Sequence, residues 1–427
     1  MTKGAPSTPA VPLDPDGKGL GAFPPACTTA GAAGLGWNLL AEDVSLPVAV
    51  LYESRVRHNL AWMQRFMEAY RVKLAPHGKT TMSPALFQRQ IDAGAWGITL
   101  ATAPQTQAAY RHGIRRVIMA NQLVGKANMA IIAQLLRDPS FTYFCIVDSA
   151  TNAAQLGRYF GDQGLTLPVL IELGPPGGRT GVREPAQLRE VAAEIARWPA
   201  LALAGVEVYE GVLQEEPDIR AFLRRAADAL RELAAAGRLR RNGPALISGA
   251  GSAWFDVVAE EFSQIDIGAP LDVVLRPGCY LSHDVGIYRS AAERIQARNP
   301  VARGMAPGLL PALQVWAYVQ SMPEPGRAIV ALGKRDAAFD AGLPEPARHY
   351  RPGAPAGARP LPAPPQWKLT AMMDQHAFMQ VGPGDDIAVG DMIAFDISHP
   401  CLTFDKWRQV LLVDDDYRVT GVAPTYF

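Results

Sequence analysis

Between residues 72 and 281, short apolar or β-branched runs alternate with segments of helical spacing. The runs are VKLAP (72–76), GITLAT (97–102), RVIMANQ (116–122), FTYFCIVDS (141–149), LPVLIELG (167–174), LAGVEVYEG (203–211), ALISGAGS (245–252) and VVLRPGCYL (273–281). PALFQRQIDAG and DIRAFLRRAADALRELAAAGR place apolar residues at i, i+3, i+4 and i+7, and the second stops at Gly237. Near-continuous apolar strands between helices imply a parallel sheet buried on both faces. Eight such units over about 235 residues predict a (β/α)8 TIM barrel. A doubly wound open sheet is the alternative.

The pattern changes after about residue 285. ALQVWAYVQSM, GRAIVAL, WKLTAMMDQHAFMQV, DMIAFDIS and WRQVLLVDDDYRVTGVAP read as strands with turns between them and no good helices. The expected organisation is an irregular lead-in over 1–45 packing on the β domain, a barrel over 46–285, and a mostly antiparallel β domain over 286–427. Residues 344–366, rich in proline, are expected to form an exposed excursion.

Hydrophobic residues make up 48% of the 427, enough for a large core, and 41 basic residues balance 41 acidic ones. That balance supplies no basic field for nucleic acid or an anionic membrane. Cys27, Cys145, Cys279 and Cys401 form no CxxC spacing, the first residues carry no apolar signal core, and no run approaches a membrane span. A cytoplasmic protein with a small-molecule substrate is expected.

In a barrel the active site forms at the C-terminal strand ends. Those ends carry Lys79, Thr102, Asn121, Asp148, Arg179, Tyr209, Ser248 and Tyr280. SGAGS (248–252) ends the seventh run with glycines that expose backbone N–H groups and two serine hydroxyls. Such a loop can cradle a phosphate, and it lies where barrels commonly bind one. Ser248, Gly249, Gly251 and Ser252 are therefore the phosphate candidates. A lysine able to form a Schiff base, facing a phosphate anchor, is the arrangement that pyridoxal phosphate needs.

APHGKTTMSP, GITLAT, VIMANQLV, YEG and SGAGS…LRPGCY together resemble the fold-type III pyridoxal-phosphate enzymes, within them the D-serine dehydratase and D-threonine aldolase family. The resemblance runs from about residue 46 to the C-terminus and implies an alanine-racemase-like barrel. It makes Lys79 the lysine that carries the cofactor, puts Arg179 beside the cofactor, and sets Tyr209 against the pyridine nitrogen, with Tyr280 a further cofactor contact. The late DISHPCLTFDKW resembles the family's metal motif, with His399 and Cys401 as ligands on one face of an extended segment. Nitrogen and sulfur donors favour zinc over manganese or magnesium. His376 and Asn121 are expected to line the substrate pocket, with His283 and Asp284 as further candidates. Where family members often read Arg-Pro-His-x-Lys-Thr-His-Lys, this chain has Ala75 for the arginine and Thr81-Met82 for the last pair.

The implied activity is a dehydratase that converts a D-β-hydroxy amino acid, such as D-serine or D-threonine, to a 2-oxo acid and ammonia. Retro-aldol cleavage to glycine and an aldehyde is the alternative within the family, and a non-catalytic cofactor carrier the alternative outside it. The resemblance also implies a homodimer.

Overall fold

The structure is a computed structural model that describes residues 11–355 and 357–427. Its first strand, β1 (Val48–Tyr52), leads into α1 (Glu53–Tyr70), and from there strands and helices alternate. They are β2 (Lys73–Leu74), α2 (Pro84–Asp92), β3 (Ile98–Leu100), α3 (Ala103–Arg111), β4 (Arg116–Gln122), α4 (Lys126–Leu135), β5 (Thr142–Val147) and α5 (Ala150–Asp162). The second half runs β6 (Leu167–Leu173), α6 (Pro185–Ala196), β7 (Leu201–Val208), α7 (Glu216–Ala235), β8 (Ala245–Gly249), α8 (Phe255–Phe262) and β9 (Leu271–Leu275). Each of the eight runs read from the sequence holds one of the strands β2 to β9.

These eight strands form one parallel sheet in the order β2-β9-β8-β7-β6-β5-β4-β3. The sheet closes on itself. Trp96 N donates to Leu74 O at 2.7 Å, Thr99 N donates to Pro76 O at 2.9 Å, and His77 bridges Thr99 in parallel. The interior is filled by Ala75, Ile118, Phe144, Ile146, Leu170, Ala204, Leu246 and Val274. The opposite face of each strand packs on the helix ring. This two-sided burial is why the strands read as unbroken apolar runs.

Two helices follow the barrel strands, α9 (Ile287–Arg298) and α10 (Pro300–Arg303). The sequence had suggested no good helices here, because α9 buries only Ala291 and Ile295 along twelve charge-rich residues. Tertiary contacts hold it: Ile295 and Ala302 join the barrel core, and Arg298 makes a two-pronged pair with Asp256 at 2.7 Å per contact.

The second domain contains β10 (Leu313–Glu324), β11 (Arg327–Val330), β12 (Glu345–Tyr350), β13 (Leu361–Pro362), β14 (Lys368–Met372), β15 (Ala377–Gln380) and β16 (Met392–Asp396). A helical turn, α11 (Cys401–Phe404), then precedes β17 (Gln409–Val413) and β18 (Val419–Pro424). The main path of the sheet is β13-β12-β16-β10-β1-β17-β18, antiparallel except where β1 meets β17. Residues 48–52, counted with the barrel in the sequence reading, thus belong to this sheet. Val48, Val50 and Tyr52 face the lead-in segment through Leu13, Trp37 and Leu39, while Ala49 and Leu51 face the other core. Burial on both faces leaves β1 no alternation that would tell it from a barrel strand. Residues 345–350 are likewise strand β12 rather than part of an excursion. A bulge between Pro346 and Arg348 accommodates the proline.

Asn59 of α1 locks the junction between the domains. Its side-chain amide donates to Leu281 O at 3.0 Å and Leu310 O at 2.8 Å, and its oxygen accepts from Leu310 N at 2.8 Å; Asn59 and Leu281 are fully buried and Leu310 partly so. Replacing it with alanine strands these backbone groups at a cost of about 3 kcal/mol. Urea unfolding of Asn59→Ala should show that loss, and a change below about 1 kcal/mol would remove the residue from this role.

Candidate active site

Lys79 sits in a helical turn, Gly78–Thr80, that follows β2 at the C-terminal rim of the barrel. The turn is closed by Thr81 N and Met82 N, both donating to Gly78 O at 3.1 and 2.8 Å. A side chain at Gly78 would put its Cβ 2.7 Å from the Phe87 ring and 2.9 Å from Ile98, so only glycine lets the turn settle onto the barrel wall. Lys79 is exposed into a cavity of 580 Å³ at the barrel mouth, and its amine takes no partner among the described residues.

The cavity floor carries buried charge. Arg276, 4% exposed, pairs with Glu207 and donates to Val208 O at 2.8 Å. Burial pushes the Glu207 carboxyl up to about 7 against the pull of Arg276, and raises Glu172 as well. Glu172 accepts from Gln122 at 2.6 Å and from Thr180 at 2.7 Å. His77 is held neutral, well below the usual histidine range, by burial and by the nearby cations Lys79, Arg276 and Arg179. The loop after β6 is shaped by Arg183, which donates to Gly178 O at 2.6 Å, and by Arg225, which donates to Gly174 O at 2.6 Å. It carries Arg179, whose guanidinium lies 4.6 Å from the centre of the Tyr209 ring. Arg276 lies within LRPGCY, next to the residues named from the sequence. An arginine directly after a buried strand run is the signal that could have found it.

The loop after β8 is built differently from the sequence reading. Ser248 Oγ donates to Val274 O at 2.9 Å and ties β8 to β9, while Gly249 packs against Phe262, Val208 and Val258. Neither lines the cavity, because both still belong to the strand. Gly251 and Ser252 do line it. The Ala250 and Gly251 amides donate at 3.1 and 2.6 Å to Glu210, a fully buried carboxylate that sequence reading missed. Ala250 is held at φ 77°, a left-handed conformation costly for any residue but glycine. Ser252 Oγ accepts the amides of Gly278 and Cys279, both at 3.1 Å, which leaves its own O–H to donate. The Ser252 and Ala253 amides have no acceptor among the described residues and lie just ahead of α8. A hydroxyl and two open amides before a helix suit an anion such as phosphate.

Tyr280 and His376 fall outside the cavity. Tyr280 is buried in the barrel wall, where its hydroxyl accepts from Gln90 at 3.2 Å. His376 is exposed in the turn between β14 and β15, at the far end of a hairpin. Asn121 lines the cavity and donates to Ala101 O at 3.2 Å. His283 and Asp284 are buried behind the β9 loop, where burial holds the His283 ring down to about 4 and raises the Asp284 carboxyl to about 6.

His399 and Cys401 reach the cavity from the β domain. They stand at the start of the α11 turn rather than on an extended segment, since Pro400 is helical. His399 Nδ1 donates to Asp340 at 2.8 Å, and Cys401 Sγ lies 3.5 Å from Thr80 Oγ1. Hydrogen bonds from Cys279 and His399 hold the Cys401 thiol well below the usual range against its burial. Contact with Cys401 and with Asp340 raises His399. Among the described residues no three His, Cys, Asp or Glu side chains group as a metal site. The pair nonetheless has the chemistry of one: an oriented imidazole, with a carboxylate behind it, beside a thiolate-forming sulfur. Asp340 lies 59 positions from His399, so no local spacing could have found it.

The model of the alanine racemase N-terminal domain matches residues 52–278, and a model of a serine dehydratase domain matches residues 312–413. The D-threonine aldolase of an Arthrobacter species is 27% identical over 383 residues, 87% of this chain and 90% of the aldolase. The D-threo-3-hydroxyaspartate dehydratase of a Delftia species is 32% identical over 136 residues, 32% of this chain and 35% of that enzyme. The crystal structure of D-threonine aldolase from Filomicrobium marinum superposes with a TM-score of 0.74 at 25% identity, covering 91% of this chain and 97% of that one. The barrel strands, the helix ring and the rim that carries Lys79 all fall within the first match, and the chain belongs to the alanine racemase N-terminal domain family.

Proposed function

We propose that the protein is a lyase that uses pyridoxal 5'-phosphate and a divalent ion to remove water from a D-β-hydroxy amino acid, giving a 2-oxo acid and ammonia. One observation carries this reading: His399 and Cys401 share a cavity with Lys79, with Cys401 Sγ 3.5 Å from the hydroxyl of Thr80, the neighbour of Lys79. A non-catalytic carrier has no need of that pair.

Lys79 would hold the cofactor, Ser252 and the amides ahead of α8 its phosphate, and Arg179 and Tyr209 its flanks. The cofactor supplies an electron sink for charge developing at Cα. An ion on His399 and Cys401 would supply Lewis acidity to the β-hydroxyl, and its nitrogen and sulfur ligands favour zinc over manganese or magnesium. The Lys79 amine, directed into the cavity, accepts the α-proton. His77, kept neutral beside it, adds no further positive charge to the floor. Asp340 fixes His399 through Nδ1, which would leave Nε2 as the nitrogen able to ligate an ion. Leu402 and Asp405 of the β domain also line the cavity.

Retro-aldol cleavage is the second reading. The match to a D-threonine aldolase, which spans 87% of the chain, favours it. Incubation with D-serine, D-threonine, D-3-hydroxyaspartate and D-glucosaminate separates the two. Elimination predicts a 2-oxo acid and ammonia, while glycine with an aldehyde assigns the aldolase reaction instead. Metal stripping or His399→Ala should lower the rate by two or more orders of magnitude, with zinc restoring the stripped wild type. A rate that survives stripping removes the ion from the mechanism.

Glu210→Gln tests the phosphate loop separately. The amide cannot accept both N–H bonds that hold Ala250 left-handed, and losing one charged hydrogen bond is worth about 1.5–3 kcal/mol. Equilibrium titration should show pyridoxal phosphate binding weakened at least tenfold, and unchanged binding would make Glu210 a purely internal tie.

A further inference from the structure

Cys279 and Cys401 are 122 positions apart in the chain, yet their Sγ atoms lie 3.7 Å apart. Cys279 opens the helical turn after β9 in the barrel, and Cys401 opens α11 of the β domain. Thr80 Oγ1 completes the cluster, 3.8 Å from Cys279 Sγ and 3.5 Å from Cys401 Sγ. Both cysteines line the 580 Å³ cavity, and Cys401 is only partly buried, so a small oxidant that enters the cavity meets its sulfur. The other two cysteines are elsewhere: Cys145 is buried in the barrel wall, and Cys27 lies on the lead-in, bonded to Thr28 O. Bringing two sulfurs from contact to a bond of about 2.05 Å takes a shift of under an ångström at each, within reach of a side-chain rotation.

We propose that Cys279 and Cys401 are a redox pair that closes to a disulfide under hydrogen peroxide, tying the β domain to the rim of the barrel. The Cys401 sulfur attacks one peroxide oxygen, the O–O bond breaks, and one water leaves, so that Cys401 becomes a sulfenic acid. The Cys279 sulfur then attacks the Cys401 sulfur. The S–S bond forms, the S–O bond breaks, and the departing hydroxide takes the Cys279 proton as a second water. Two electrons pass from the thiols to the peroxide, and a dithiol reductant reverses the change. Closure also takes Cys401 away from an ion, a consequence that rests on the function proposed above, whereas the disulfide does not.

The test is graded peroxide treatment of the full-length protein, read by thiol counting after unfolding, intact mass and peptide mapping. The wild type should fall from four free thiols to two, become lighter by two hydrogens, and yield a peptide pair joining Cys279 to Cys401 that dithiothreitol releases. Cys279→Ser should give no cross-link and should gain oxygen on Cys401. A wild type that gains two oxygens on Cys401 without cross-linking, or that joins Cys27 or Cys145, overturns the proposal. Zinc added beforehand should slow closure at least tenfold. Equal rates with and without zinc overturn the withdrawal of Cys401 from an ion, while the mass change still reports on the disulfide.

Discussion

At Gly278 the loop after β9 comes so close to the Lys79 turn that a Cβ there would stand 2.5 Å from the His77 carbonyl oxygen and 2.8 Å from Thr80 Oγ1. That approach follows from barrel closure, which makes β2 the direct neighbour of β9 on one side and of β3 on the other. It also fixes the rest of the rim. With the two loops in contact, the Gly278 and Cys279 amides reach Ser252 Oγ, and Cys279 comes within reach of both Thr80 and Cys401. Three loops distant in sequence and one segment of the β domain are thereby set around a single cavity, with no regular hydrogen-bond ladder between them.

The cavity is also a place where charge has been buried at a cost. Arg276 and Glu207 are both almost fully enclosed, and such a pair breaks even only when its desolvation is repaid by close contact. Glu210 is enclosed as well, stabilised by the two amides it accepts while it holds Ala250 in a left-handed conformation. Strain and buried charge of this kind gather at functional sites. Here they leave a floor that presents Lys79 and Arg179 while His77 stays uncharged, a setting suited to an anionic ligand.

The barrel was readable because burial on both faces writes each strand as a plain apolar run with a helix behind it. The same property hid β1, a fully buried strand of the other domain that looks like a barrel strand. Helix α9 was hidden for the opposite reason, since its contacts are few and its surface charged. At the site, Lys79, Arg179, Tyr209, Gly251, Ser252, Asn121, His399 and Cys401 were named from strand ends and motif resemblance, and all line the cavity. Ser248, Gly249 and Tyr280 stand only a residue or two from cavity positions, and a sequence does not show where a strand's last inward side chain gives way to the loop. Asp340 and Glu210 act through partners far along the chain, which no local pattern records, whereas Arg276 directly follows a buried strand and could have been found there.

The central claim is that Lys79 is the cofactor lysine of this cavity. Borohydride reduction of the protein loaded with pyridoxal phosphate, followed by peptide mapping, tests it without reference to any substrate. The account predicts a yellow protein whose colour is lost on reduction, with the cofactor fixed to the peptide carrying Lys79 and to no other lysine. A reduced cofactor on a different lysine, or a protein that binds none, would contradict it.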